Sequence, residues 1–307
     1  MANPNQTPQF HYHFSTVTGI FLQDEETTDA SKFDFASTDF GLIPRAYPSD
    51  AEFDPNNGKT QWERLAYYIE ALNRHSPPDT QYKLLFLGRH GQGVHNCHYS
   101  LLNGDDDLTW FDALLTDVGI SQARTVNETW KAQIKKGIPH PQSYYVSPLR
   151  RCCETARVSF EESGLRGTEP FQPLVKELLR ETLGLHTCDA RSPKSVVEAA
   201  YPKYVFEDGF SEEDRLHVPD LRESDSARDV RFIELLSDIF ASDGNSVLSL
   251  TTHSGAIMSI LHVVGHRKFT LETGGVIPVL VRGERKEGKG EKGVVEPWWP
   301  KPECPKN

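Results

Sequence analysis

Residues 82–88 read YKLLFLG and run straight into RHGQGVHN at 89–96. The first seven form a nearly continuous apolar run with no polar face, which predicts a central strand covered on both sides. The next eight are dense in glycine, histidine and amide side chains, as befits a tight polar loop at a strand's carboxyl end. The same arrangement recurs twice. SVLSLTT at 246–252 runs into His253-Ser254-Gly255, and SYYVS at 143–147 runs into Pro148-Leu149-Arg150-Arg151. Three predicted strands thus end in residues suited to phosphate chemistry, and sites in open α/β sheets form beyond the carboxyl ends of the strands.

Helical patterns fill the spaces between these strands. Residues 60–73 place Trp62, Leu65, Ala66, Ile69 and Leu72 on one face and stop at Ser76-Pro77-Pro78-Asp79. Further helices are expected over 119–136, 151–163 and 226–241, the last with Val230, Ile233, Leu236 and Phe240 on one face. AIMSILHVVG, 256–265, predicts a buried helix ended by Gly265. The alternation points to a three-layer α/β/α sandwich with a mostly parallel central sheet. A chain of 307 residues suffices for one such domain, spanning 1–307. Within it, residues 1–58 read as an N-terminal arm whose alternating stretch, His11 to Ile20, suits a strand or an extended segment. Residues 164–225, rich in Pro, Asp, Glu and Arg, read as a cap inserted over the site. The charged Gly/Lys-rich stretch 283–307 reads as a solvated, partly disordered tail.

Bulk properties narrow the function. The formal net charge of -11 argues against broad nucleic-acid binding, which needs a basic surface. No run of roughly 18 apolar residues marks a membrane span. The N-terminus lacks the basic start and apolar stretch of a secretory signal. The five cysteines are an odd number without zinc-ribbon spacing, so they are expected to be reduced thiols of a cytoplasmic protein.

In the loop at 89–96, Arg89 offers a planar fork of donors matched to phosphate oxygens. His90 beside it is a competent nucleophile toward phosphorus. Gly91 and Gly93 allow the backbone to approach a ligand closely. A metal reading of His90, His95 and His98 is disfavoured, because Arg89 would oppose a cation.

Arg89-His90-Gly91 after an apolar strand resembles the histidine phosphatase superfamily, which includes the cofactor-dependent phosphoglycerate mutases, and four later blocks follow that family's order. Leu115-Thr116-Asp117-Val118-Gly119-Ile120-Ser121-Gln122-Ala123 resembles a helix-starting block, with Thr116 or Asp117 as its cap. Ser147-Pro148-Leu149-Arg150-Arg151 puts the phosphate-binding arginine at Arg151, not Arg150. Glu181 resembles the acid that protonates the leaving oxygen. Thr252-His253-Ser254-Gly255 resembles the second histidine block. The resemblance implies a phosphoglycerate mutase-like fold. It also implies a metal-independent reaction without a cofactor, in which Arg89, Asn96, Arg151 and His253 hold phosphate, His90 attacks phosphorus and Glu181 moves the proton. A cationic His253 would stabilise charge; the sequence does not identify the partner that orients His90, a role that a backbone carbonyl near Gly91 would fill.

Gly93 departs from the mutases, which carry Ser or Thr there. The run GQGVHN and the LGLHTCDARSP stretch at 183–193 look like a mutase-like branch of fungi and plants. The leading expectation is a phosphatase acting on a small phosphorylated substrate. The alternatives are a mutase and a phospho-ligand binding protein with vestigial activity. Arg180, His186, Arg191, Lys194 and Tyr201 are candidates for binding a second anionic group.

Overall fold

The computed structural model describes residues 10–98, 110–161, 171–290 and 293–301; parts of the expected cap (164–170) and tail (291–292 and 302–307, with Cys304) lie outside the described residues. In chain order the strands are β1 (Phe10–Thr16), β2 (Thr80–Arg89), β3 (Ser143–Val146), β4 (Leu174–Val175), β5 (Val205–Phe206), β6 (Leu221–Arg222), β7 (Val247–Thr252), β8 (Val276–Glu287) and β9 (Trp299–Pro300). The helices are α1 (Asp50–Phe53), α2 (Gln61–His75), α3 (Val94–His98), α4 (Asp117–Ile134), α5 (Arg150–Ala156), α6 (Lys194–Ala200), α7 (Asp225–Ser242) and α8 (Ser254–Val263).

Seven strands form one mixed sheet in the order β1-β8-β2-β7-β3-β4-β5. β2, β7, β3, β4 and β5 run parallel, and β8 lies antiparallel between β1 and β2. The apolar run in β2 is buried from both sides, as its composition predicts. Leu84 and Phe86 pack with Trp62, Leu65 and Ile69 of α2 and with Val126 and Trp130 of α4. Leu85 and Leu87 point the other way, into Phe232, Leu236 and Ile239 of α7 and Ile257 and Ile260 of α8. Successive side chains of a strand alternate faces, so a strand without a polar face needs helices on both sides. That is the three-layer α/β/α sandwich.

Local signals account for the helix starts. Thr60 caps α2 by accepting from the Glu63 amide while the Glu63 side chain accepts from the Thr60 amide. Thr116, rather than Asp117, caps α4 through the Gly119 amide. The helix expected over 151–163 is α5 followed by a π-type turn at Arg157–Glu161.

Two expectations need revision. The buried face of α7 is Phe232, Leu235, Leu236, Ile239 and Phe240, with Arg228 and Arg231 completing it, whereas Val230 and Ile233 are exposed. Residues 283–287, assigned to the tail from their charge, are the end of β8, and they pair with the first residues of β1 from Phe10↔Glu287 onward. The chain beyond them also finds partners. Glu296 O accepts from Ser224 Oγ at 2.8 Å, and β9 pairs with β6. Among the described residues, no helix is long and apolar enough to cross a membrane.

Candidate active site

The order β2-β7-β3 puts the carboxyl ends of these three strands side by side. The loop after β2 is pinned first. His90 N donates to Thr252 O of β7 at 2.9 Å, and His90 O accepts from Gly274 N at 2.9 Å. Gly91 N donates to Thr155 Oγ1 of α5 at 3.0 Å. The loop then presses on the start of α4. A Cβ at Gly91 would lie 2.4 Å from Gly119 O, and one at Gly119 would lie 2.2 Å from Gln92 O. Two backbones at van der Waals contact leave room for no side chain, which accounts for both glycines. Gly119→Ala is therefore expected to cost about 1–3 kcal/mol of stability by overpacking. It should also lower turnover by displacing the His90 loop; denaturant unfolding and steady-state kinetics on one sample measure both.

A cleft of about 550 Å³ opens above these strand ends. Five of the six expected site residues line it: Arg89, His90, Asn96, Arg151 and Glu181. His253, the sixth, is fully buried behind them, with its ring 5.1 Å from that of His90.

His90 is 3% exposed, and its Nδ1 lies 2.7 Å from Gly91 O. A carbonyl only accepts, so Nδ1 carries the hydrogen and Nε2 keeps a lone pair. The partner of this ring nitrogen, which the sequence does not identify, is thus the Gly91 carbonyl. Burial first, then the nearby Arg151 and His95, hold the His90 ring well below the ordinary 6.5, so it is neutral near pH 7.

Arg89 Nη1 donates to Leu271 O and Arg151 Nη1 to Cys188 O, each at 2.6 Å, and Arg151 Nη2 pairs with Asp189 Oδ1 at 3.2 Å. The Nε atoms of both arginines are buried without a partner among the described residues. The two neighbouring arginines are placed differently. Arg151 is 1% exposed at the cleft, while the Arg150 side chain is 28% exposed beside Asp112.

Asn96 Oδ1 accepts from Gly93 N at 2.9 Å, and its Nδ2 donates to His95 Nε2 at 3.1 Å. An amide nitrogen has two hydrogens, so one remains for another acceptor. The His95 ring fills the space beside Gly93, where a Cβ would lie 2.6 Å from it. Burial, reinforced by Arg151, brings His95 down to about 3.

His253 Nε2 shares a hydrogen bond with Ser147 Oγ at 2.7 Å. Burial, then Arg151, holds His253 well below its ordinary value, which opposes its cationic form while no phosphate is bound.

Glu181 sits on a segment held by arginines of α7. Arg231 donates to Leu178 O, Arg180 O and Glu181 O at 2.7, 3.0 and 3.0 Å while paired with Glu223. The carboxylate accepts from Thr182 N at 2.8 Å and Gly255 N at 3.1 Å.

The candidates for a second anion divide. Arg180 is buried against Glu177 and Asp214, and Arg191 is buried against Glu177, so both serve internal ion pairs. Tyr201 is buried with its hydroxyl donating to Arg150 O, and Lys194 lies over the Phe206 ring. Only His186 of that set lines the cleft. Arg222 lines it too, donating from Nη1 to Asp189 Oδ2 at 2.7 Å, and was not singled out from the sequence. Burial would raise the Asp189 carboxyl, but Arg222 and Arg151 outweigh it and hold it below the ordinary range.

The profile of the histidine phosphatase superfamily (branch 1) matches residues 85–272. A probable phosphoglycerate mutase of Arthroderma benhamiae is 49% identical over 283 residues, covering 88% of this chain and 84% of its own length. A probable phosphoglycerate mutase of Saccharomyces cerevisiae is 34% identical over 253 residues, covering 72% of this chain and 84% of its own. A crystal structure of a phosphoglycerate mutase from Bacillus anthracis aligns at 19% identity with a TM-score of 0.42, over 66% of this chain and 89% of that one. The chain belongs to the histidine phosphatase superfamily, branch 1, and is similar to its fungal phosphoglycerate mutase-like members.

Proposed function

We propose that the protein is a phosphatase that hydrolyses a small, hydrophilic phosphate monoester through a phosphohistidine at His90. One observation carries the reading. His90 is a neutral, buried imidazole whose Nδ1–H is committed to Gly91 O, which leaves an Nε2 lone pair as the nucleophile. In the first step Nε2 attacks phosphorus, the ester P–O bond breaks and Glu181 gives a proton to the departing oxygen. In the second step water attacks the phosphorus of phospho-His90, Glu181 takes the water's proton and Nε2 is released. Arg89, Arg151 and Asn96 hold the phosphoryl oxygens, and phosphoryl transfer gains most from such positioning and charge stabilisation. A phosphate dianion beside His253 would favour its protonated form, which restores the donor expected there.

The cleft lining supports the substrate class. Among the described residues the lining contains no Leu, Ile, Val, Phe, Tyr or Trp, which favours a hydrophilic ester. Arg222 and His186 at the wall suit a hydroxylated or anionic remainder. A mutase is the second reading, favoured by the names of the two fungal relatives. The crowding of Gly93 by His95 weighs against it, because the mutases carry a hydroxyl side chain at that position.

The two readings separate in one assay with chelator present, using glycerol phosphate and then phosphoglycerate with bisphosphoglycerate. Continuous release of inorganic phosphate is expected from the monoesters. Interconversion of phosphoglycerate isomers without matching phosphate release would replace the phosphatase with the mutase.

A further inference from the structure

Thr182 stands between two fixed partners. Arg228 Nη1 lies 2.6 Å from Thr182 Oγ1, and Thr182 Oγ1 lies 3.2 Å from Glu181 Oε1. A guanidinium only donates, so the hydroxyl accepts from Arg228 and its single hydrogen is directed to Glu181. Arg228 is itself held. Its Nε donates to Ser259 Oγ of α8 at 2.8 Å, and its Nη2 pairs with Asp225 at 2.9 Å. Both Arg228 and Thr182 are 6% exposed. The hydrogen-bond direction along Arg228, Thr182 and Glu181 is therefore set by chemistry and locked by packing.

The two carboxylate oxygens are treated unequally. Oε1 accepts from the Thr182 amide and the Thr182 hydroxyl. Among the described residues, Oε2 accepts from the Gly255 amide alone. A carboxylate oxygen offers about two lone-pair sites. Oε1 has both occupied by donors that cannot take a proton from it, and Oε2 has one open.

We propose that Thr182, oriented by Arg228, is a positioning residue that commits Glu181 to exchanging its proton through Oε2. The inference rests on the reading of Glu181 as the acid. The Oε2 proton passes to the ester oxygen as its bond to phosphorus breaks and the Nε2–phosphorus bond forms. Glu181 is left a carboxylate with its three donors in place. Without the Thr182 hydroxyl the carboxyl group can turn, and the proton is no longer presented at one point.

Leaving groups of different basicity test this. A nitrophenolate departs without a proton, whereas an alkoxide needs one. The measurement is kcat/KM for nitrophenyl phosphate and for glycerol phosphate in wild type, Thr182→Val, Thr182→Ser and Glu181→Gln. The alkyl-to-aryl ratio is expected to fall about tenfold in Thr182→Val, to recover in Thr182→Ser, and to fall at least as far in Glu181→Gln. A purely structural role would lower both substrates together and leave the ratio unchanged, which overturns the proposal. Should Thr182→Val not fold, Arg228→Met frees the hydroxyl to turn away, and an unchanged ratio there overturns it equally. A normal ratio in Thr182→Val beside a reduced one in Glu181→Gln rejects the positioning role alone. A normal ratio in Glu181→Gln rejects Glu181 as the acid and the inference with it.

Discussion

Replacing His90 with asparagine is expected to lower kcat/KM for every phosphate ester by at least about ten-thousand-fold, because the nucleophile itself is lost. Neither neighbouring imidazole is placed to take over. His95 Nε2 accepts from Asn96, and His253 Nε2 is engaged by Ser147. Arg89 and Arg151 remain in His90→Asn, so inorganic phosphate should still bind and compete for the site. Phosphate release, with a melting curve to show that the variant is folded, measures the loss. Residual activity within about a hundredfold of wild type would move the nucleophile to another residue.

The second large effect is on stability, which is expected to fall steeply with acid. His90, His95 and His253 are 3%, 8% and 0% exposed, and all three are held below the ordinary histidine value of 6.5. In the unfolded chain each takes up a proton as pH falls through that value, while in the folded chain it does not. The unfolded state then binds more protons, so stability rises with pH across this window and is lost as pH falls. The contribution is full above 6.5 and drains away toward the folded value, which is about 3 for His95. Each buried histidine supplies a slope of up to about 1.4 kcal/mol per pH unit, so the three together reach about 4 kcal/mol per unit. Urea unfolding at intervals between about pH 7 and pH 5 reads this directly. His90→Asn should flatten the slope by about one third, since one of three proton-excluding rings is gone. A wild-type profile flat across that interval would mean that the rings are not buried neutral together.

What the sequence disclosed depended on how locally each feature is written. The strand that defines the sheet is contiguous, and a run such as YKLLFLG has no face to leave in water. The choice of Arg151 over Arg150 follows from the register of the family block that Ser147-Pro148-Leu149-Arg150-Arg151 resembles. The site could be assembled because its parts sit at strand ends that the topology makes adjacent.

In α7 and β8 the differences have one physical cause: charged residues there are buried or backbone-paired rather than solvated. Arg228 and Arg231 belong to the buried face of α7, satisfied by Thr182, Ser259 and Glu223. Reading them as polar rotated the expected face onto Val230 and Ile233. In β8, the charged end 283–287 suggests a tail, yet an antiparallel strand near the sheet edge tolerates charge when its backbone is paired, here by β1. Arg180 and Arg191 were attractive anion ligands until their acidic partners, Glu177 and Asp214, came into view from elsewhere in the chain. Arg222 carried no local signal at all, because only the fold brings β6 to the cleft.

The central claim is that His90 carries the phosphoryl group between ester and water. The most direct measurement is rapid acid-free quenching of the enzyme during turnover of glycerol phosphate, followed by mass spectrometry of the peptide containing residues 89–96. The account predicts one phosphoryl group on His90 that disappears when substrate is exhausted, and none on that peptide in His90→Asn. Turnover at the full rate with His90 unmodified, or with phosphate carried on another side chain, would contradict it.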